Sequence, residues 1–289
     1  MRFKGNSNRI QTHTSDQRLK AVIVNKYSMI YQFSFSTDPG LTRDNNEDSV
    51  VFDASTQLAV LADGMGGYNA GEVASGMATA FIKSEMSRWL SQAGKISNAR
   101  EVRRALEICV DNANRSIFNA SNSNSQYTGM GTTLVVGVFQ DGRIMLGHIG
   151  DSRCYRLRGN EFSQITKDHS LLQEQIDAGL ITPEQAATSL NKNLVTRALG
   201  VEDVVMLETN EHRSEVGDIY LMCSDGLSDM VSDEDIAAIM LVQEDLDTKA
   251  KALVDAANAG GGRDNISVLL IAAKDGQAKR GFMSRLLGK

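Results

Sequence analysis

Residues 57–67 read QLAVLADGMGG, an apolar run that leads directly into an aspartate and a glycine-rich segment. The run has the length and composition of a buried β-strand, and it ends at Asp63. Residues 219–225, IYLMCSD, repeat this arrangement because a second apolar run leads into Asp225. A carboxylate at the end of a buried strand costs several kcal/mol unless a positive group meets it. Both aspartates therefore require a counter-charge.

Two more acidic motifs, 46–48 (NED) and 263–265 (RDN), have the same character. Several such carboxylates are tolerable together only where metal ions, or a matching set of Arg and Lys side chains, neutralise them. A single Asp-Gly pair is usually a turn, as we expect at 141–142, but the four motifs together favour a metal site. Oxygen-only ligands favour hard divalent cations such as Mg²⁺ or Mn²⁺ over zinc.

Asp63 is the best candidate for a ligand that two ions share. Two divalent ions roughly 3.5–4 Å apart can share one carboxylate and activate a water between them. The glycines after Asp63 allow the backbone to fold tightly beside an ion, and the Gly64 carbonyl offers a further ligand. Asp225 and Asp264 repeat this logic, since each ends a strand or enters one.

Composition excludes several classes of protein. The chain has 289 residues and a net charge of −6, which argues against a general nucleic-acid surface. No apolar run approaches the roughly 20 residues of a membrane helix, so we expect no integral membrane segment. The three cysteines show no pairing pattern, which is typical of a reducing cytoplasm. The four histidines form no HxH or HExxH motif, so a histidine-based zinc site has no support in the sequence.

Periodicity predicts hairpin-linked strands with pairs of helices between them, which indicates an antiparallel α+β fold and not a doubly wound parallel sheet. The helices are expected at about 71–90, 99–120, 233–242 and 247–258, with a more helical stretch at 170–200. Strands are expected at 30–35, 49–53, 57–63, 132–139, 143–149, 153–156, 162–165, 219–223 and 266–273.

Both ends of the chain differ from the interior. Residues 1–28 are polar and basic, and we expect a disordered extension, or an upstream start with Met29 as the natural beginning; targeting or docking is the alternative. Residues 275–289 form a basic tail that we expect to fray, with a weak amphipathic anchor or a partner-binding peptide as the alternatives. The folded domain is expected at 29–274.

Three polar residues have two interpretations each. Arg43 is equally suited to pairing with a carboxylate or to holding a phosphate bidentately. Asp151 lies between two predicted strands, as a turn residue or as a ligand for another ion. His169 is most simply a hydrogen-bonded structural histidine.

Cys109 and Arg115 have the Cys-x5-Arg spacing of cysteine-dependent phosphatases. Those enzymes need a glycine-rich loop whose amides surround the phosphate. Residues 110–114 contain no glycine and lie in the middle of a predicted helix, and Asp111 would repel a phosphate. This interpretation is therefore rejected.

With these motifs the chain resembles the metal-dependent serine/threonine protein phosphatases of type 2C, in their compact bacterial form. The resemblance runs from about residue 33 to residue 273, and the order and approximate spacing of so many motifs make it highly specific. The motifs are 37–40 (TDPG), 43–48 (RDNNED), 63–67 (DGMGG), 129–133 (GMGTT), 147–153 (GHIGDSR), 168–170 (DHS), 196–200 (TRALG), 224–227 (SDGL) and 263–265 (RDN).

The resemblance implies a four-layer α-β-β-α sandwich, in which helix pairs flank two antiparallel sheets and the metals lie at one edge. It implies two Mn²⁺ or Mg²⁺ ions in the core site, and a third, weaker ion. The implied ligands are Asp63 as the bridge, Gly64 through its carbonyl, Asp225 and Asp264 on the second ion, Glu47 through bound waters with Asp48 in support, and Asp151 on the third ion.

The implied reaction is hydrolysis of phosphoserine or phosphothreonine in proteins by a metal-activated water, without a covalent intermediate. Arg43 would bind the substrate phosphate and would be catalytic together with Asp63. The implied partners are phosphorylated proteins and a cognate bacterial serine/threonine kinase, and we expect a monomer.

Two positions depart from the family. Many eukaryotic members have a histidine, a proposed general acid, where this chain has Met65, which has no proton to donate. The family's flap, expected at 171–193, often carries His-Pro near its end, and this chain has Ser189-Leu190 there. The departures leave open which group protonates the leaving group and which substrates the flap admits.

Two other functions compete with an active protein phosphatase. A non-catalytic phosphoprotein-binding scaffold would be expected to lose metal ligands, whereas the acidic set here is full. A phosphohydrolase of small molecules would differ in its flap, and the sequence does not reveal what the flap admits.

Overall fold

Two antiparallel sheets form the centre of the structure. This computed structural model describes residues 29–67, 70–93, 98–140, 142–187, 189 and 194–276. The predictions for 1–28, for the tail beyond 276, and for Asp141 and Leu190 lie outside these residues. Met29–Lys274 forms one compact unit. The expected boundaries at 28 and 275 stay predictions.

Eleven strands lie in the described residues, and they form two sheets. The five-stranded sheet has the order β1-β11-β10-β7-β8, and the six-stranded sheet has the order β2-β3-β5-β6-β9, with β4 paired to β3. The strands are β1 (Met29–Asp38), β2 (Asp48–Asp53), β3 (Leu58–Met65), β4 (Gly131–Thr132), β5 (Leu134–Gln140), β6 (Arg143–Ile149), β7 (Arg153–Arg158), β8 (Glu161–Gln164), β9 (Glu208–Arg213), β10 (Ile219–Cys223) and β11 (Ile266–Asp275).

Helix pairs cover the outer face of each sheet. Asn98 and Glu101 form a capping box at the start of α2, and Ser232 and Asp245 cap α6 and α7. Among the described helices, none is long and apolar enough to cross a membrane. The helices are α1 (Ala70–Ala93), α2 (Ala99–Ser123), α3 (Leu171–Asp177), α4 (Pro183–Ala187), α5 (Asp225–Ser228), α6 (Asp233–Leu241) and α7 (Leu246–Ala259).

The central strands are apolar along their whole length because both of their faces are buried. In β3, Leu58 and Val60 pack toward α1 and α2, while Ala59 and Leu61 pack between the two sheets. Alternate residues of β11 divide in the same way between the α6–α7 side and the space between the sheets. The predicted four-layer α-β-β-α sandwich is therefore confirmed.

The structure contains one long strand that the sequence analysis missed. Strand β9 has the polar sequence ETNEHR, and it pairs with β6 from Arg143↔Arg213 to His148↔Glu208. It is an edge strand of the six-stranded sheet, where charged side chains can remain hydrated. Its sequence therefore shows no alternation of apolar and polar residues. In addition, β3 does not end at Asp63 but continues to Met65 through its pairing with β4.

Candidate metal centre

The acidic site begins with a pair of neighbouring strands. Asp48 and Asp63 are cross-strand partners on β2 and β3, so their side chains lie side by side at one end of the six-stranded sheet. Oδ2 of Asp48 accepts a hydrogen bond of 2.8 Å from the hydroxyl of Ser224, the residue that follows β10 of the other sheet. The two sheets are thus joined at the acidic end of the sandwich.

Asn265 brings the remaining motifs to the same place. Its Oδ1 accepts the Glu47 backbone N–H at 2.7 Å, and its Nδ2 donates to the Pro39 and Asn45 carbonyls at 3.0 and 2.9 Å. The loop before β2 is therefore held against the start of β11, beside Asp264. The asparagine of the RDN motif consequently positions the site, a role that the sequence analysis did not assign.

Two glycines allow backbone segments to meet at this end. A Cβ atom on Gly64 would lie 2.2 Å from the Gly71 carbonyl oxygen, and one on Gly226 would lie 2.0 Å from the Asn265 carbonyl oxygen. Any side chain at either position would force the backbone apart. The Gly64 requirement therefore comes from the packing of α1 against β3, and not only from space beside an ion.

The motifs enclose an open cavity of about 230 Å³. Five carboxylates line it, and Arg43 is the single cation among the described lining residues. The lining comprises Arg43, Glu47, Asp63, Gly64, Met65, Gly66, Thr133, Asp151, Val195, Asp225 and Asp264. Every predicted site residue except Asp48 is in this set, and Asp48 pairs with Asp63 directly behind it.

The carboxylates are poorly compensated by the protein. Burial, aided by repulsion from Asp264, outweighs the hydrogen bonds that lower the pKa of Asp48 and raises it to about 6. Burial with repulsion from Asp168 likewise raises the pKa of Asp151 to about 6. Burial and neighbouring aspartates raise the pKa of Asp63 and of Asp225 well above the usual range. Burial also raises the pKa of Glu47.

One buried oxygen lacks a partner altogether. Oδ1 of Asp48 has no hydrogen bond, although the atom is shielded from solvent. Unpaired buried carboxylate oxygens are rare and costly. A divalent cation would satisfy this oxygen directly or through water, and its charge would lower the raised pKa values. The donor set, which consists of oxygen atoms alone, therefore fits Mg²⁺ or Mn²⁺.

Arg43 pairs with a carboxylate, which is the first of the two roles considered for it. Its Nη2 lies 2.7 Å from Oδ2 of Asp264, and about half of its side chain is exposed. The guanidinium nevertheless lines the cavity, so further N–H groups remain available to a ligand there. Its role in binding phosphate stays a prediction.

Asp151 lies in the loop between β6 and β7, and a smaller polar cavity continues from it. That cavity also contains Asp168, Ser170 and Asp225. Asp168 is held by Arg153, which donates from Nε at 3.0 Å and from Nη2 at 2.7 Å. The structure thus places Asp151 among oxygen atoms that could bind a cation, and the Arg153–Asp168 ion pair holds one wall of this smaller cavity.

His169 supports the same loop, in the structural role expected of it. Its Nδ1 accepts the Gly150 backbone N–H at 3.1 Å, so Nε2 of the neutral ring carries the proton and faces Glu208 at 3.2 Å. The ring stacks on His148, and the three side chains bring possible ligand atoms within 4.8 Å of one another. Arg197 lies 3.3 Å from the same Nε2, so this geometry favours a hydrogen-bonded support over a second metal site.

Comparison with known proteins agrees with the acidic site. The family described as protein phosphatase 2C matches residues 42–257. The chain belongs to the protein phosphatase 2C family. Its resemblance to that family, inferred from the motifs, is thereby confirmed, as is the enzyme class of a serine/threonine protein phosphatase.

Several members of the protein phosphatase 2C family are similar over most of their length. The serine/threonine phosphatase stp of Listeria monocytogenes is 38% identical over 244 residues, which is 82% of this chain and 94% of that protein. A crystal structure of PstP/Ppp from Mycobacterium tuberculosis is 38% identical, with a TM-score of 0.78 over 85% of this chain and 99% of that one. A PstP catalytic domain in complex with two manganese ions is 38% identical, with a TM-score of 0.76 over 86% and 100%.

Proposed function

We propose that the acidic cavity hydrolyses phosphoserine and phosphothreonine in proteins, with Mn²⁺ or Mg²⁺ bound to its carboxylates. The observation that supports this is the convergence of five carboxylates and Arg43 on one cavity of a protein phosphatase 2C fold. Bound cations supply Lewis acidity, which offsets charge on the phosphoryl oxygens and lowers the pKa of water from ~15.7 toward ~7.

The site residues have two proposed roles, metal binding and substrate binding, and most of them belong to the first. Asp63 would be the ligand that two ions share, the Gly64 carbonyl would help hold one ion, and Asp225 and Asp264 would hold the other. Glu47 would act through water. Asp48 supports Asp63 from the neighbouring strand, held by Ser224, and Asp151 would help hold a third ion.

Arg43 is assigned to the substrate phosphate. Phosphoryl transfer needs positioning and charge compensation more than covalent help from the protein, and a guanidinium fork matches a phosphoryl group. Its contact with Asp264 keeps the fork beside the cavity while leaving half of the side chain exposed. Arg43 therefore links substrate binding to the metal ligands.

Replacement of Arg43 by Ala is expected to lower kcat/KM for a phosphothreonine peptide by about 10²-fold. Arg43→Lys is expected to recover only part of this loss, because an ammonium lacks the planar fork. Arg88→Ala is a matched control, since Arg88 pairs with Glu85 on the exposed surface of α1. If Arg43→Ala weakened metal affinity and left KM and kcat at saturating metal unchanged, Arg43 would be only the structural partner of Asp264.

Replacement of Met65 by His is expected to raise kcat for a phosphoserine peptide by at least about ten-fold, because a histidine can protonate the poor leaving group. An aryl phosphate has a good leaving group, so its kcat is expected to change much less. Met65→Gln, which fills similar space without an acid, is the control. An equal rise in kcat on both substrates would show that the histidine does not act by protonating the leaving group.

The proposed function is tested by phosphate release from a phosphothreonine peptide. The full chain is assayed with Mn²⁺, with Mg²⁺ and with excess EDTA. Release that requires the metal is expected. No release at saturating metal, from a protein whose circular dichroism shows that it is folded, would move the assignment to a phosphoprotein-binding scaffold.

The finer assignments rest on the sequence. We propose that the protein acts in the cytoplasm as a monomer, on phosphoproteins made by a cognate serine/threonine kinase. We also propose that residues 29–274 are the catalytic domain and that 171–193 form its flap. In the described part of that flap, α3 and α4 are short, and Ser170 and Val195 form a β-bridge that joins its two ends.

A further inference from the structure

Exposed large apolar side chains are unevenly distributed over the described residues. Eleven are at least 38% exposed, and five of these lie between residues 180 and 206. Single exposed apolar residues are ordinary, whereas a local concentration marks a surface that meets another molecule. Three of the five, Val201, Val204 and Met206, form what we call the apolar rim.

The apolar rim lies at the cavity end of the sandwich. A Cβ on Gly131 would lie 2.8 Å from a methyl of Val201 and 3.6 Å from Cγ of Met65, so Val201 and Met65 flank the same glycine. Met65 in turn lines the catalytic cavity. The segment ends at Glu208, which pairs with His148, close in sequence to Asp151. Val201, the first residue of the rim, therefore lies beside a wall residue of the cavity, and Val204 and Met206 follow it along the chain.

The backbone under the apolar rim is fixed by a buried side chain. Asn114 of α2 is fully buried, donates from Nδ2 to the Glu202 and Asp203 carbonyls at 2.9 and 3.2 Å, and accepts the Gly200 N–H at 2.7 Å. A buried side-chain network of this kind holds one loop conformation. The exposed apolar side chains are thus presented from an ordered loop.

Alternation along the segment gives the same result. Val205 and Leu207 pack against the core beneath α1 and α2. The residues between and before them, Val204 and Met206, are 64% and 74% exposed. An extended segment with alternate residues buried holds the others outward in fixed directions. The rim is therefore a preformed surface, whose ordering needs little further entropy on binding.

We propose that the apolar rim, together with the exposed carboxylates of Glu202 and Asp203, binds the polypeptide that flanks the phosphorylated residue of a protein substrate. This inference rests on the proposed function. With the phosphoryl group in the cavity, an extended substrate spans ~3.3 Å per residue, so residues a few positions away reach the rim. The surface selects substrates with Leu or Val and with Lys or Arg in those positions, because the first bury apolar area and the second meet the acids.

The test compares two phosphothreonine peptides of equal length with p-nitrophenyl phosphate. One peptide carries Leu, Val and Lys around the phosphothreonine, and the other carries Ser and Glu. The wild-type chain is expected to prefer the first by about ten-fold in kcat/KM. The double variant Val204→Ser, Met206→Ser is expected to lose most of that preference, and its rate on p-nitrophenyl phosphate is expected to stay unchanged.

A matched control lies at the other end of the sandwich. Val216 is 52% exposed, against 64% for the Val204 that the double variant replaces. It lies before Gly217, whose N–H donates to the Ala273 carbonyl at the far end of β11. Val216→Ser is expected to keep the full preference. The acidic part of the surface is tested by Glu202→Gln with Asp203→Asn, which is expected to weaken the preference for Lys and not that for Leu.

Each contrary outcome identifies a different failure. Equal kcat/KM for both peptides would overturn the surface while leaving the proposed function intact. A higher kcat/KM of the double variant on the peptides would mean that a segment of the same chain covers the rim. A lower molecular mass of the double variant than of the wild type by light scattering would mean that a second copy covers it. Either result overturns the proposal. No phosphate release from any of the three substrates would overturn the proposed function and the docking surface together.

Discussion

Replacement of Asp225 by Asn is expected to lower phosphate release by at least about 10³-fold at any metal concentration. Asparagine keeps the shape of the side chain and one oxygen, but it removes the charge that would hold a cation. Asp225 is the first residue of α5, separated from the end of β10 by Ser224, and it lies in the wall that the two cavities share. Steady-state rates with a phosphothreonine peptide at several Mn²⁺ concentrations would measure the loss.

The same substitution is expected to stabilise the metal-free protein. Burial, then repulsion from Asp151, Asp264 and other acids, raises the pKa of Asp225, so its charge opposes folding when no cation is present. Asp225→Asn should therefore raise the metal-free Tm and shrink the rise that Mn²⁺ causes. Asp111→Asn, on the exposed face of α2, is the control for a lost carboxylate. A variant that kept a tenth of the wild-type rate, or the full Mn²⁺-induced shift, would remove Asp225 from the ligand set.

The fold was predictable wherever burial produces a periodic pattern, or a continuous run, of apolar residues in the sequence. The buried strands β3, β10 and β11 are apolar runs of strand length, and α2 shows apolar residues at three- and four-residue spacing, so all four were located within a few residues. Strand β9 carries no such period because it lies at the edge of a sheet and is polar throughout. The layer order also depends on which strands pair across long sequence separations, which no local pattern records.

The acids of the site were predictable because carboxylates at buried strand ends are costly and therefore informative. The residues that position them were harder to identify. Asn265 and Ser224 belong to quoted motifs, but only the structure shows that they connect Glu47 and Asp48 to the other sheet. Asn114 has no signal at all, since an asparagine within an amphipathic helix is usually solvated. Its partners lie about 90 residues away in sequence.

The metal-free protein is expected to lose stability as the pH rises from about 4 to about 6.5. Asp48 and Asp151 have a folded-state pKa of about 6, against an ordinary value of 3.8. Between these values the folded state binds the proton and the unfolded state does not, so the free energy of unfolding falls as pH rises. Each shift corresponds to about 3 kcal/mol, lost fully above about pH 7. Thermal unfolding in excess EDTA across this range would measure the slope.

Two histidines oppose this trend, so a variant is needed to isolate it. Burial lowers the pKa of His169 and of His212, and a buried neutral histidine gains stability as pH rises. Asp151→Asn removes one of the two carboxylates, and the difference between its slope and that of the wild type gives the Asp151 share directly. Parallel slopes for the two proteins would show that Asp151 is ionised in the folded, metal-free state.

Saturating Mg²⁺ is expected to reverse the slope of the wild-type protein. A cation favours the ionised carboxylates, so binding strengthens as they lose protons, and the rise in Tm should be larger at pH 7.5 than at pH 5. At a free concentration of 100 Kd the stabilisation is about 2.7 kcal/mol. A metal-induced shift that is the same at both pH values would mean that the cation binds away from the protonated carboxylates. The acidic cavity would then not be the metal centre.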